Sequence, residues 1–356
     1  RAYNFLDEKL KNYLESVLVS GEMAEKIRAA FDAYVFLSYR KKDRKYAQEL
    51  MRLIHKNDFC QNIAIWYDEF LTPGEDFNYS IRKAMVESDL FVMAVTPNLV
   101  CEANYVQEQE YPMAKAQEMY ILPAEMVPTD HNLLYQRYAG FPGCVDAHNP
   151  YALTHALRTA LNSIKLRKHD RCVQNDYYIG LAYLNGIDVE VDHERALKLI
   201  TSAAEAGLTA AADKLVTMYG KGQGAPWNTD KMLYWQQRLI EYRRRDIQEK
   251  LTEENGVALL DDLRAMADVE EARQNYQAMA SYLQEIIRLA SILRSDDCCH
   301  AIIQHLAAAN TCMGTLLQQM DQERRALEYL NRSEELLVDR LRRAGIVLRP
   351  GCSEEQ

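Results

Sequence analysis

The sequence predicts an α/β domain built on a parallel sheet, followed by an all-α array of helical repeats. Short apolar runs alternate with helix-like segments between residues 33 and 123, and strand signals disappear after Tyr151. Two later segments match each other at a fixed offset. Strands that are apolar along their whole length are typical of a parallel sheet covered by helices on both faces.

The composition is that of an ordinary globular protein with two or three domains. Of its 356 residues, 48% are hydrophobic and 26% are charged. We find no apolar run of about eighteen residues and no basic-then-apolar start, so we expect a cytoplasmic protein without a membrane span. The net charge of -10 argues against general nucleic-acid binding, because phosphate contacts need a basic surface.

The cysteines are scattered along the chain, without a C-x-x-C pair and without a histidine at metal-ligand spacing. We therefore expect reduced, mostly buried thiols and no metal cofactor. The eight positions are Cys60, Cys101, Cys144, Cys172, Cys298, Cys299, Cys312 and Cys352.

The first 31 residues show helical spacing of apolar side chains, interrupted at Gly21, and predict a helical leader. The strands that follow are predicted at 34–37, 63–67, 90–95 and 119–123. Ligands of parallel sheets bind at the carboxyl ends of the strands. This rule selects the residues that follow the first three strands, namely 38–41, 68–69 and 96–97.

The helical part contains an internal repeat with a period of thirty-six residues. The matched pairs are Tyr183 with Tyr219, Gly186 with Gly222, and Leu199 with Trp235. Such a period predicts a stacked α/α solenoid, in which glycines end one helix and permit the turn into the next. We expect Gly180, Ala182, Ala212 and Gly314 to pack inward, and Tyr178, Gln236 and Arg238 to face a partner.

Residues 178–192 and 203–224 resemble Sel-type repeats, which are relatives of tetratricopeptide (TPR) repeats. The α/β part has a second resemblance. The segments "YVFLSYRKKD", "IWYDEFLTPGEDF", "SIRKAMVESDLFVMAVTPNLV" and "NYVQEQEYPMA" occur in this order. They resemble the successive signature segments of a bacterial TIR (Toll/interleukin-receptor) domain. This resemblance implies a five-stranded, flavodoxin-like parallel sheet.

The resemblance to TIR domains implies one of two functions. One is a non-catalytic scaffold or signalling adaptor. The other is an NAD+ nucleosidase, which cleaves NAD+, its substrate, to nicotinamide and linear or cyclic ADP-ribose, in bacteria often in antiphage defence. The nucleosidase needs one carboxylate near the ribose to stabilise an oxocarbenium-like transition state. In the family this carboxylate is a glutamate four residues after an aromatic residue.

In this chain the aromatic residue is Tyr105 and the position four residues later is Gln109. Residues four apart share one face of an α-helix. Three interpretations follow. Gln109 replaces a native glutamate and inactivates the enzyme; or Glu110 or Glu108 supplies the carboxylate after a small shift of the helix; or the domain is a natural, inactive scaffold.

The resemblance also assigns NAD-binding roles to other residues. Arg40 and Lys41 are expected to meet the pyrophosphate at the start of the first helix of the sheet domain, where the helix dipole favours an anion. A second set is expected to line the pocket: Phe36, Ser38, Trp66, Asp68 and Tyr105. The segment 69–77 resembles the BB loop, through which TIR domains self-associate.

Five segments follow from these patterns. They are a leader at 1–31, a TIR domain at 32–160, Sel-type repeats at 161–245, TPR-like repeats at 246–345 and a tail at 346–356. The repeats carry no catalytic constellation. We therefore expect them to act as a sensor or assembly module that responds to a protein or nucleotide trigger.

Overall fold

The computed structural model describes residues 21–67, 77–164, 172–295 and 300–343. Asp68 and most of the expected BB loop, 69–76, lie outside these ranges, as does most of the leader. The chain divides into two compact units, 1–206 and 207–356. The division falls inside the segment expected to hold the Sel-type repeats.

The first unit contains a five-stranded parallel sheet in the order β2-β1-β3-β4-β5. The strands are β1 (Ala33–Ser38), β2 (Ile63–Trp66), β3 (Leu90–Val95), β4 (Tyr120–Glu125) and β5 (Val145–Asp146). The sequence predicts the first four within two residues at either end. The central strands β1 and β3 are buried along their whole length, as a doubly covered sheet requires.

Helices precede, connect and follow these strands. They are α1 (Gly21–Ala30), α2 (Arg44–His55), α3 (Phe77–Glu87), α4 (Asn98–Cys101), α5 (Tyr111–Ala116), α6 (His131–Arg137) and α7 (Pro150–Ser163). Amphipathic spacing explains their packing: in α2 the buried residues Ala47, Leu50, Met51 and Ile54 form one stripe against the sheet.

The first unit also contains the helix pair α8 (Val173–Asn185) and α9 (His193–Glu205). The turn between these helices covers the outer edge of β2. The N–H of Ile65 donates to the carbonyl oxygen of Asp188 over 2.7 Å, and the Tyr183 hydroxyl donates to the carbonyl of Gln61 over 2.8 Å. An unpaired strand edge is thereby closed.

An ion pair fixes this turn to α1. Arg28 Nε donates to Asp188 Oδ2 over 2.8 Å, and the Asp188 side chain is 3% exposed. Burial lowers the pKa of Arg28, but the hydrogen bond and attraction to Asp188, together with attraction to Tyr34 and Glu87, outweigh it, so the net shift is upward. Removing Arg28 would leave the buried Asp188 carboxylate unpaired, which is strongly destabilising.

The second unit is all-α, and each helix packs on the next along the chain. Its helices are α10 (Thr209–Lys221), α11 (Thr229–Glu249), α12 (Glu253–Ala272), α13 (Tyr276–Leu293), α14 (His300–Gln319) and α15 (Glu323–Arg343). Within the described residues, no helix is both long and apolar enough to cross a membrane.

The predicted repeat is present in the backbone. Gly186 and Gly222 end α8 and α10 in the left-handed conformation, with φ of 71° and 67°. Asp192 and Asn228, again thirty-six residues apart, cap α9 and α11 through their side chains. Even a cation–π pair recurs: Arg195 lies 4.4 Å from the Tyr183 ring, and Lys231 lies 5.3 Å from the ring of Tyr219.

Two expectations about side chains need correction. Gln236, expected to face a partner, is buried and donates to Asp262 over 2.9 Å. Of the five cysteines among the described residues, all are unbridged, but only Cys60 is fully buried, and Cys101 and Cys172 are exposed. The sequence pattern did not predict the burial of Gln236 or the exposure of these cysteines, because tertiary contacts determine both.

Candidate functional site

The candidate site lies at the carboxyl end of β1. Ser38, the last residue of this central strand, is 1% exposed, and its hydroxyl donates to Glu110 Oε2 over 2.5 Å. Glu110 is itself 8% exposed. A carboxylate is therefore held beneath the surface at the strand edge where ligands of parallel sheets bind.

Gln109, the position expected to carry the catalytic side chain, is exposed. The reason is a π-helical turn at Val106–Glu110, closed by a hydrogen bond from the Tyr111 N–H to the carbonyl of Val106, five residues back. The wider turn brings the fifth residue after Tyr105, rather than the fourth, toward the sheet. Glu110, one of the two alternative carboxylates, is therefore a buried side chain of this turn, whereas Glu108 is exposed.

Pro112 gives a local reason for the wider turn. A proline inside a regular α-helix lacks the N–H for the ladder, and its ring collides with the carbonyl four residues earlier, here that of Glu108. A π turn just before the proline relieves both problems. Single π turns inside α-helices occur often at functional sites.

Asn104 and Tyr138 support the π turn from behind. Asn104 Oδ1 accepts the N–H of Gln107 over 3.0 Å, and its amide group donates to the Leu99 carbonyl. The Tyr138 hydroxyl donates to the same carbonyl over 3.2 Å, and its ring meets Tyr111 edge-on. Burial raises the pKa of Tyr138 to about 12.

Asp43 links the loop after β1 to the end of β3. It is 3% exposed and accepts hydrogen bonds from the Thr96 hydroxyl over 2.6 Å and from the Asn98 amide over 2.7 Å. The strand-end rule selected Thr96 but gave no role to Asp43, because an aspartate after a basic run also fits a solvated helix start. Asp43 fixes the loop that carries Arg40.

Arg40 carries the cationic part of the site. Its Nη2 contacts Glu102 Oε1 over 2.5 Å, and Lys42 contacts the same oxygen over 3.0 Å. Lys42 and Arg40 together lower the pKa of the exposed Glu102 carboxyl. The Arg40 Nε–H is buried and has no acceptor among the described residues. A buried N–H without a partner suggests a site for a bound anion or water.

The other predicted site residues that the structure describes are buried in the core or flank the site. The Phe36 ring stacks on Trp66 at 4.8 Å and on Phe91 at 5.7 Å, and both predicted pocket rings are buried in the core. Lys41 and Lys42 are both exposed, and it is Lys42 that shares the Glu102 carboxylate with Arg40. Tyr105 is half-buried at the start of the π turn.

The parallel sheet with the order β2-β1-β3-β4-β5 defines a flavodoxin-like α/β domain. Residues 35–157 match the family model of the TIR domain, and this segment is a TIR domain. The match ends inside α7, which packs against β4 and β5. A search of curated proteins found no match to the chain.

Two solved structures of repeat proteins show a weak similarity. A Sel1 repeat protein from Oxalobacter formigenes is 18% identical, with 51% of this chain and 78% of the other covered at a TM-score of 0.24. The protective antigen c5321 of uropathogenic Escherichia coli, which displays an SLR fold, is 17% identical. The match covers 57% of this chain and 52% of the other, at a TM-score of 0.20. These scores are too low to support an argument, so the repeat assignment depends on the chain's own periodicity.

Proposed function

We propose that this chain is an NAD+ glycohydrolase in which Glu110 supplies the carboxylate of the active site. The observation that carries the proposal is the Ser38–Glu110 pair at the carboxyl end of β1. The hydrogen bond from Ser38 orients the carboxylate, and the π turn directs it toward the sheet. Gln109 then needs no replacement by glutamate for the chain to be active.

The reaction requires little besides a positioned negative charge. The bond between ribose C1′ and nicotinamide N1 breaks, and its electron pair leaves with nicotinamide, which becomes neutral. Charge develops on C1′ as an oxocarbenium ion, which the Glu110 carboxylate stabilises while it accepts hydrogen bonds from the ribose hydroxyls. Water attacks C1′ and loses a proton to give ADP-ribose; attack by the adenine gives the cyclic product.

Arg40 is the proposed contact for the pyrophosphate. Its guanidinium already contacts the exposed carboxylate of Glu102. Its buried Nε–H has no hydrogen-bond acceptor among the described residues. A phosphate oxygen offers the same chemistry as a carboxylate oxygen and more negative charge. We propose that the pyrophosphate displaces Glu102 from Arg40 and Lys42.

We further propose that assembly of TIR domains activates the enzyme in antiphage defence. The expected BB loop begins directly after β2, and in this chain the first helix pair covers the edge of that strand. A repeat that contacts this edge is well situated to sense a protein or nucleotide trigger and to promote assembly.

Substitution at two adjacent positions tests the assignment of the carboxylate. We expect Glu110→Gln to slow nicotinamide release at least about a hundredfold, a loss typical of removing one electrostatic partner of the transition state. Gln109→Ala is the matched control, because this side chain is exposed; its rate should stay within about threefold. The readout is nicotinamide released from NAD by the purified full chain.

Two outcomes would contradict the proposal. Equal rates for the unaltered chain and Glu110→Gln would remove Glu110 from the mechanism. No release of nicotinamide by the unaltered chain at any concentration, although the chain assembles, would instead support the alternative function of a non-catalytic TIR scaffold.

A further inference from the structure

Three chemically different side chains converge where β4 ends and β5 begins. Glu125, His131 and Cys144 each offer one ligand atom, and these atoms all lie within 4.8 Å of one another. Glu125 and Cys144 are half-buried, whereas His131 is exposed. The three residues take no part in the proposed cleavage of NAD.

The fold holds these residues in place. Glu125 ends β4, and Cys144 directly precedes β5, whose Val145 pairs with Ala124 in the parallel ladder. The loop from β4 to α6 is fixed by the Thr129 N–H, which donates to Glu125 Oε1 over 3.0 Å. His131 begins α6, and its Nε2 lies 2.9 Å from the same oxygen. Both contacts involve Oε1, so Oε2 takes part in neither.

We propose that Glu125, His131 and Cys144 form a binding site for a divalent transition-metal ion, most favourably zinc. Zinc accepts carboxylate oxygen, imidazole nitrogen and thiolate sulfur together, whereas calcium and magnesium prefer oxygen ligands alone. A tetrahedral zinc ion with bonds of roughly 2.0–2.3 Å separates its ligand atoms by roughly 3.3–3.6 Å. The three ligand atoms lie within 4.8 Å of one another, so metal binding requires the side chains to rotate until this spacing is reached.

Three protein ligands leave the fourth position of a tetrahedral ion open. Sites of this type keep a water molecule or bind an external ligand at that position. Binding converts the Cys144 thiol to a thiolate, and the displaced proton goes to the buffer. The ion also ties the end of β4 to α6 and to the start of β5.

Cobalt(II) and zinc titrations of the full chain, first stripped of metal with a chelator, test this site without NAD. We expect one equivalent of cobalt to produce a thiolate-to-cobalt charge-transfer band, and zinc to displace it and raise the Tm. Cys144→Ser should abolish the band. His131→Asn, at an exposed position that tolerates change, should weaken binding by at least about tenfold.

Cys172→Ser is the matched control, because Cys172 is an exposed thiol outside the cluster; its titration should equal that of the unaltered chain. A band that persists in Cys144→Ser, or affinity that is unchanged in His131→Asn, would overturn the proposal. Absence of a stoichiometric cobalt complex in the unaltered chain would overturn it as well. None of these results depends on cleavage of NAD.

Discussion

The side chains of the candidate site are held by neutral and charged partners before any ligand binds. Ser38 fixes one oxygen of Glu110, and Asp43 fixes the loop that presents Arg40 through Thr96 and Asn98. A preorganised carboxylate needs no reorganisation when charge develops on the ribose, which is the main source of electrostatic catalysis. The hydroxyl of Ser38 is therefore a positioning group in this account.

Substitution of Arg40 separates binding from chemistry. We expect Arg40→Gln to raise the KM for NAD by about tenfold with a small change in kcat, since a pyrophosphate contact is present in both ground and transition states. Lys41→Gln is the control, because Lys41 is exposed and lies beside the ion pair. A lower kcat at unchanged KM in Arg40→Gln would instead assign Arg40 to the transition state.

At the scale of single elements, the strands were predictable and the helix register was not. Continuous apolar runs identified β1 to β4, whereas β5, which has two residues, is too short for any periodicity. The assignment of Gln109 assumed α-helical spacing from Tyr105. One π turn moved the buried position to Glu110, and the only local signal for it is Pro112.

The cluster proposed to bind a metal ion could not be predicted from the sequence either. Glu125, His131 and Cys144 show no metal-ligand spacing, and only the β4–β5 ladder brings the first and the last together. By contrast, the repeat period of thirty-six residues was visible, because Tyr183 and Gly186 recur as Tyr219 and Gly222. Both helix-ending glycines have the left-handed backbone that their positions predict.

We expect the contact between α2 and the first helix pair to become less stable at low pH. His55 lies near the Tyr183 ring, and its Nε2 is 2.8 Å from the carbonyl of Ile63. Burial lowers the pKa of His55 below its ordinary value of 6.5. The unfolded chain then binds more protons than the folded one in this range, so stability is fully present above about pH 6.5 and is lost as the pH falls below it.

Hydrogen–deuterium exchange of peptides covering residues 53–67 measures this effect. Protection, corrected for the intrinsic exchange rate, should fall between pH 7 and pH 5.5 in the unaltered chain and less in His55→Gln. His155→Gln, at an exposed position, should behave like the unaltered chain. If protection depends on pH equally in His55→Gln and in the unaltered chain, a group other than His55 titrates.

At the scale of the whole molecule, the first helix pair belongs to the same compact unit as the TIR domain. A fragment ending near residue 160 would expose the β2 edge and leave Arg28 without Asp188. A fragment ending at residue 206 keeps both contacts. It is therefore the better fragment for separating catalysis from the remaining repeats.

If self-association of TIR domains activates the enzyme, NAD cleavage depends on protein concentration. We expect the NAD-cleavage rate per molecule of the full chain to rise with concentration, because a loop that completes a cleft across an interface needs a neighbour. Fragment 1–206 fused to a dimeriser should keep cleavage, which would assign the remaining repeats to sensing or assembly. A flat rate over a wide dilution series, with light scattering showing only monomers, would contradict this model.

The most direct test of the central claim moves the carboxylate by one residue. The double variant Gln109→Glu/Glu110→Gln has the same composition and net charge as the unaltered chain, and only the position of the carboxylate differs. Because the π turn directs residue 110 toward Ser38 and residue 109 toward solvent, nicotinamide release should fall at least about a hundredfold. Release equal to or faster than that of the unaltered chain would show that residue 109 occupies the catalytic position.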